Sequence, residues 1–131
     1  MLNIARLVHP SKKFHIGNSE SWGEDGQFDV ATCMFAFHEM PEHGRRRVLQ
    51  NMLRVAPTAI IADIHPSYVP GERMLVGEPY LLEYLDNIED NVATIAKKMN
   101  ATATFWSMVP DRVALWKCES NWADDLEARH V

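Results

Sequence analysis

Glycine is scarce, and none of it is arranged as a nucleotide-binding loop would need. The six glycines stand at positions 17, 23, 26, 44, 71 and 77 and form no G-x-G pair, so no loop of the type that brings bare backbone against a dinucleotide is present. Cysteine is scarcer still. Cys33 and Cys118 both sit in apolar contexts and neither belongs to a C-x-x-C pair, which excludes a disulfide framework and a zinc ribbon and leaves two reduced, buried thiols as the expectation. The net charge of −5 comes from acids and bases mixed along the chain. Without a basic stripe, neither nucleic acid nor an anionic membrane is expected as a partner. No apolar run approaches the roughly 20 residues of a membrane span, and the opening Met1-Leu2-Asn3-Ile4-Ala5-Arg6 lacks the apolar core of a secretory signal. A soluble cytoplasmic protein is expected. The chain contains no internal repeat and no low-complexity segment.

What is present is enough for one core. The 131 residues are 47% apolar, and a domain of this size buries roughly two-thirds of its unfolded surface. Apolar residues at Met1, Leu2, Ile4, Ala5, Leu7 and Val8 predict a helix that Pro10 ends. Nothing before Met1 caps its first turn, so the chain is expected to begin inside an element. Phe14–Gly17 reads as a short strand and residues 18–26 as a turn-rich loop.

Gln27–Phe37 is a nearly continuous apolar run, expected as a central strand covered on both faces of a parallel sheet. Pro41 suits the start of a helix whose apolar stripe is Val48, Leu49, Met52, Leu53 and Val55, opposite Arg45, Arg46, Gln50 and Arg54. Pro57 ends it, and Thr58–Asp63 is a second buried strand. A strand, a helix and a strand in this order place the two strands parallel through a crossover, so the fold class is α/β. His65–Gly77 reads as a loop. Pro79 then opens the clearest helix: Leu81, Leu85, Ile88, Val92, Ile95 and Met99 step by three and four, acids precede Lys97 and Lys98 in keeping with the helix dipole, and Asn100 suits its end. Ala101–Met108 and Arg112–Cys118, joined by Val109, Pro110 and Asp111, predict an antiparallel hairpin in which Trp106 and Trp116 pack. A domain over 1–118 is expected, followed by a polar tail over 119–131.

The chemistry-bearing residues gather at strand ends. His38 and His43 in the run His38-Glu39-Met40-Pro41-Glu42-His43 are five apart, and Pro41 breaks the helix that an H-E-x-x-H zinc site requires. No metal is assigned on that ground. His38 and Glu39 instead stand where a parallel strand meets a ligand crevice, and His38 suits the role of a general base. The competing reading is that His38 packs on its loop or caps the following helix. Asp63 and His65 follow the second strand and are candidates to orient a polar acceptor or to join His38 at a metal. For Asp63, loop bonding is the stronger alternative. Tyr80 and Tyr84 are candidates to line an acceptor pocket, with core packing as the alternative. Arg45, Arg46 and Arg47 point in different directions from a helix and are expected to form a solvated face.

Three stretches carry a resemblance. Phe28-Asp29-Val30-Ala31-Thr32 running to Phe37-His38-Glu39-Met40-Pro41 resembles the fourth strand, and the loop after it, of the class I S-adenosylmethionine-dependent methyltransferases. Ala59-Ile60-Ile61-Ala62-Asp63 resembles their fifth strand. Met1-Leu2 with Ala5-Arg6 and Pro10, followed by Phe14–Ser19, resembles their second-strand helix and third strand. The resemblance implies a partial Rossmann-like sheet with a C-terminal antiparallel hairpin, lacking the family's first two strands, its glycine loop and its ribose-binding acid. It implies cofactor contacts at Asn18, Ser19, Phe35, Ala36 and Phe37, with Asn18 where the family often places an acid facing adenine. It also implies catalytic roles for His38 and Glu39, and substrate contacts at Asp63, His65, Tyr80 and Tyr84.

In the family's sheet order, 3-2-1-4-5-7-6, two missing strands leave the fourth strand exposed. An apolar edge of this kind invites pairing. The Gln27–Phe37 strand is therefore expected to pair with Phe14–Gly17 or across a homodimer or partner chain. Two functions follow from the resemblance: methyl transfer from S-adenosylmethionine to a small-molecule acceptor, or a non-catalytic module that acts by association. A truncated gene product with an upstream start is a third expectation.

Overall fold

The computed structural model of the chain describes residues 1–121. Helix α1 (Leu2–Val8) is followed by a long irregular stretch, strand β1 (Val30–Met34), a 3₁₀ turn (Phe37–Glu39) and helix α2 (Glu42–Val55). Strand β2 (Thr58–Ile64), a short helix α3 (Glu72–Gly77), helix α4 (Leu81–Lys98) and strands β3 (Ala101–Val109) and β4 (Val113–Ser120) complete the order. The sheet runs β1-β2-β4-β3, with β1 and β2 parallel and β4 antiparallel to both of its neighbours. This is the mixed α/β, partial Rossmann-like arrangement with a closing hairpin that the element order implied, and it reproduces the 4-5-7-6 part of the expected sheet. The polar tail lies, from residue 122 on, outside the described residues. No helix among the described residues is long and apolar enough to cross a membrane.

One side of the sheet carries the core. Alternation in β2 and β4 turns Ala59, Ile61, Ala114, Trp116 and Cys118 to the same side, where they join Val48, Leu49, Met52 and Leu53 of α2 and Ile88, Val92 and Ile95 of α4. The periodic stripes of the two helices thus find each other and the sheet. Asn100 closes α4 as expected, with a φ of 51°, the left-handed conformation that ends helices.

Several expectations need correcting. β1 covers only the middle of Gln27–Phe37. Upstream, the Phe28 N–H donates to the Val55 carbonyl at 2.9 Å, tying the chain to the end of α2. Downstream, Phe35 takes a φ of 52°, which ends extended backbone. Nor is β1 covered on both faces: Ala31 and Cys33 turn toward the core, whereas Val30 is 47% and Met34 63% exposed on the other side.

Phe14–Gly17 forms no strand and does not pair with β1, whose outer edge stays free among the described residues. The stretch expected as a loop contains α3, whose Met74 and Leu75 N–H groups both donate to the Gly71 carbonyl and whose Met74 and Leu75 side chains pack against the core. Trp116 is buried, but Trp106 is 43% exposed on the outer strand. β4 runs on to Ser120, whose N–H donates to the Pro57 carbonyl at 2.8 Å.

Candidate functional site

The carboxyl ends of β1 and β2 lie side by side because the strands are parallel and in register, with Met34 opposite Ala62. One residue further along β2, the Asp63 side chain reaches back under the loop that leaves β1. Its Oδ2 accepts the Phe37 N–H at 2.8 Å and the His38 N–H at 3.3 Å. Its Oδ1 accepts the Ile64 N–H at 2.7 Å and lies 2.6 Å from His38 Nδ1. Asp63 is wholly buried, so this carboxylate is the internal post on which the 3₁₀ turn is built. The charge-assisted bonds are of the stronger kind, and the contact of Nδ1 with the carboxylate fixes the orientation of the imidazole ring.

The loop is gripped from below as well. Arg45, fully buried at the first turns of α2, donates to the Met40 carbonyl, to Asn91 Oδ1 at 3.1 Å and to Glu83 Oε1 at 3.1 Å. Glu83 Oε1 also accepts the Glu42 N–H at the start of α2. Burial lowers the Arg45 pKa, against the pull of Glu83, Glu42 and Tyr84. The expected solvated arginine face therefore holds only for its neighbours. Arg46 pairs with Glu42 and Asp90, and Arg47 with Glu20, while Arg45 joins α2, α4 and the loop. The run of three arginines concealed this, because nothing in it marks which one points inward.

The other sequence-derived candidates divide in three. Phe35, Ala36, Phe37, His38 and Glu39 are brought together on the loop, with Phe37 and His38 buried and Glu39 exposed. Tyr84 is wholly buried and its hydroxyl donates to the Ile64 carbonyl at 2.6 Å, so it props the end of β2 and does not face an acceptor. Burial, reinforced by Asp63, pushes its pKa up. Asp63 is likewise inside, and the loop-bonding alternative describes it. His65 accepts the Ser67 N–H at 3.0 Å and packs edge-on to Phe105. It is turned to the hairpin, so the trio of Asp63, His65 and His38 makes no metal site. Tyr80 stays partly exposed at the start of α4.

Asn18 and Ser19 stand apart from the loop. Asn18 Oδ1 accepts the Glu20 N–H at 2.9 Å, closing a turn, and Ser19 lines an open groove of about 750 Å³ with Lys13, His15, Gly17, Trp22, Gln27 and Phe28. Within it Trp22 stacks on Phe28 with ring centroids 6.0 Å apart. The segment is docked on α2 by polar contacts: Asn51 donates to the Ser19 and Trp22 carbonyls at 2.9 and 3.0 Å, and Arg54 to the Gly23 carbonyl at 2.8 Å.

Two features escaped the sequence reading. The Trp22–Phe28 pair is scattered over a loop without periodicity. Glu78 lies forty residues from His38, yet one of its carboxylate oxygens, one of Glu39 and a ring nitrogen of His38 all lie within 4.8 Å of one another.

No family model matches the sequence, and no curated protein matches it. Solved structures do match. An S-adenosylmethionine-dependent methyltransferase from Aquifex aeolicus aligns with a TM-score of 0.60 at 17% identity, over 89% of this chain and 59% of that one. TnmH aligns with a TM-score of 0.56 at 20% identity, over 83% of this chain and 35% of that one. The chain spans less than two-thirds of the length of either. The four-stranded mixed sheet flanked by helices is therefore a partial Rossmann-like, class I methyltransferase-like fold.

Proposed function

We propose that this chain is a methyltransferase module that presents a small-molecule acceptor to S-adenosylmethionine at the carboxyl ends of β1 and β2. The observation that carries this reading is the loop Phe35–Glu39, hung on the buried Asp63 at the carboxyl end of β2 so that only Nδ1 of the His38 ring is engaged. S-adenosylmethionine, when bound, supplies a methyl group activated by its sulfonium. The residues present fit the cofactor in part. Ser19 and the exposed Trp22–Phe28 pair offer an aromatic groove for a purine, and Phe35–Phe37 offer backbone near the reacting end. Among the described residues β1 is the first strand, so no earlier strand end contributes a glycine loop or a ribose-binding acid.

With the methyl donor bound, His38 would accept the proton of an acceptor hydroxyl or amine, and Asp63 would steady the imidazolium that forms. Glu39 is the alternative base, and Tyr80 flanks the acceptor. Catalysis rests mainly on holding the acceptor in line. The test is calorimetry and thermal unfolding of the whole chain with millimolar S-adenosylmethionine. Saturable heat and a raised melting temperature are expected, and neither would appear if the reading is wrong.

The bare edge of β1 supports a second reading, in which the module associates with a second copy or a partner chain. An unpaired strand with Val30 and Met34 exposed is a template for another strand. Sedimentation velocity is expected to show concentration-dependent dimers, and a monomer at all concentrations would contradict self-association.

A further inference from the structure

We infer that His38, Glu39 and Glu78 form a binding site for a first-row divalent transition-metal ion, with Zn²⁺ as the representative case. A His and two carboxylates close together would carry little weight alone, but two further observations point to an ion. The first is the state of His38. The residue is only 7% exposed, its Nδ1 is engaged by Asp63 at 2.6 Å, and Nε2 has no hydrogen-bond partner among the described residues. A histidine whose far nitrogen is held by a buried carboxylate is the usual arrangement around a bound metal, because the carboxylate fixes the tautomer and raises the basicity of the free nitrogen. The second is charge. Neither Glu39 nor Glu78 makes an ion pair among the described residues, so no side-chain cation there offsets two carboxylates whose oxygens lie within 4.8 Å of one another.

The geometry is within reach of coordination. Bonds of roughly 2.0–2.2 Å set ligand atoms on the order of 3.3 Å apart around a tetrahedral ion, so the two glutamates need to close by about an ångström. Glu39 is exposed and Glu78 half-buried in the link between α3 and α4, which leaves both free to do so. One imidazole nitrogen with two carboxylate oxygens favours Zn²⁺, Mn²⁺ or Fe²⁺ over Mg²⁺ or Ca²⁺, which prefer oxygen alone. Three protein ligands leave at least one position open to water or to an anionic oxygen of a ligand. An ion here would occupy the His38 nitrogen and the Glu39 carboxylate named above as base and alternative base. Its binding would rule out those roles while leaving the S-adenosylmethionine reading itself standing, and its failure would leave both standing.

Chelator-treated chain titrated with Zn²⁺ by calorimetry tests it. One ion per chain is expected, with at least a tenfold loss of affinity in each of Glu39→Gln and Glu78→Gln and at least tenfold weaker binding of Mg²⁺. Both glutamates lie outside the core, so these variants are expected to keep the wild-type circular dichroism, which makes them the decisive pair beside the more disruptive His38→Ala. No uptake at about 100 μM Zn²⁺ would overturn the site, since structural and catalytic zinc sites bind far more tightly. Uptake that survives unchanged in either glutamate variant would overturn it equally, because the ion would then be held elsewhere.

Discussion

Residues 1–36 and residues 37–121 are built by different rules. No residue in the first region is buried, and Met1, Ile4, Leu7, Val8, Ile16, Trp22, Phe28, Val30, Met34 and Phe35 are all exposed. Its attachments are polar contacts to α2, among them those of Arg47, Asn51 and Arg54, the ladder of β1 with β2, and the packing of the half-buried Ala31 and Cys33 against the core. The second region holds the whole buried core. The candidate site lies at the seam, where the exposed Phe35 and half-buried Ala36 give way to the buried Phe37 and His38. The lesson is that the sheet has one finished side and one unfinished edge, and that the loop meant to face a ligand is organised entirely from the finished side, by Asp63 and Arg45.

The contrast can be broken most forcefully at Asp63. Asp63→Ala leaves three buried N–H groups and His38 without their acceptor, and a loss of about 4 kcal/mol is expected in urea unfolding. A loss under about 1 kcal/mol would mean that the loop is not held by this carboxylate. A paired substitution sharpens the same contrast. Leu53→Ala is expected to cost about 3 kcal/mol, as large-to-small changes in a packed core do, whereas Leu7→Ala, 81% exposed in α1, is expected to stay within about 0.5 kcal/mol. Equal effects would show that the N-terminal region is packed after all. Tyr84→Phe removes one buried hydrogen bond to Ile64, with an expected loss of about 1 kcal/mol.

The thiols sharpen the contrast through pH rather than through substitution. Burial, with Asp63 adding to it for Cys33, pushes Cys33 and Cys118 up to about 11. A raised folded pKa means that the contribution to stability is present below the ordinary value and lost as pH climbs from about 9 through 11. Stability measured by urea should fall in that window. At pH 8 the folded chain should react with a thiol reagent about a hundredfold more slowly than the unfolded chain, because thiolate is the reacting form.

Much of the second region was legible in the sequence because period and partner coincide there. The stripe from Leu81 to Met99 reads as a helix and is one, and the run Thr58–Asp63 lies in β2, which pairs in parallel across the seam with the middle of the run Gln27–Phe37. The first region misled for the same reason. Phe14–Gly17 has strand-like residues, but propensity alone makes no strand, and the segment forms no ladder with the free edge of β1. Asp63 was correctly weighed as a loop-bonding group, since a carboxylate after a buried strand has nearby N–H groups to accept. Arg45 and Glu78 were not legible: what marks them is distance in space, to Glu83 and Asn91 in one case and to His38 in the other.

If the module binds S-adenosylmethionine as proposed, the ligand must bridge the two regions. Amide hydrogen exchange with and without millimolar S-adenosylmethionine reads this directly. Slowed exchange is expected both in residues 19–22, beside the Trp22–Phe28 groove, and in residues 35–39 on the loop held by Asp63. Unchanged exchange in both segments would contradict a cofactor site at this seam.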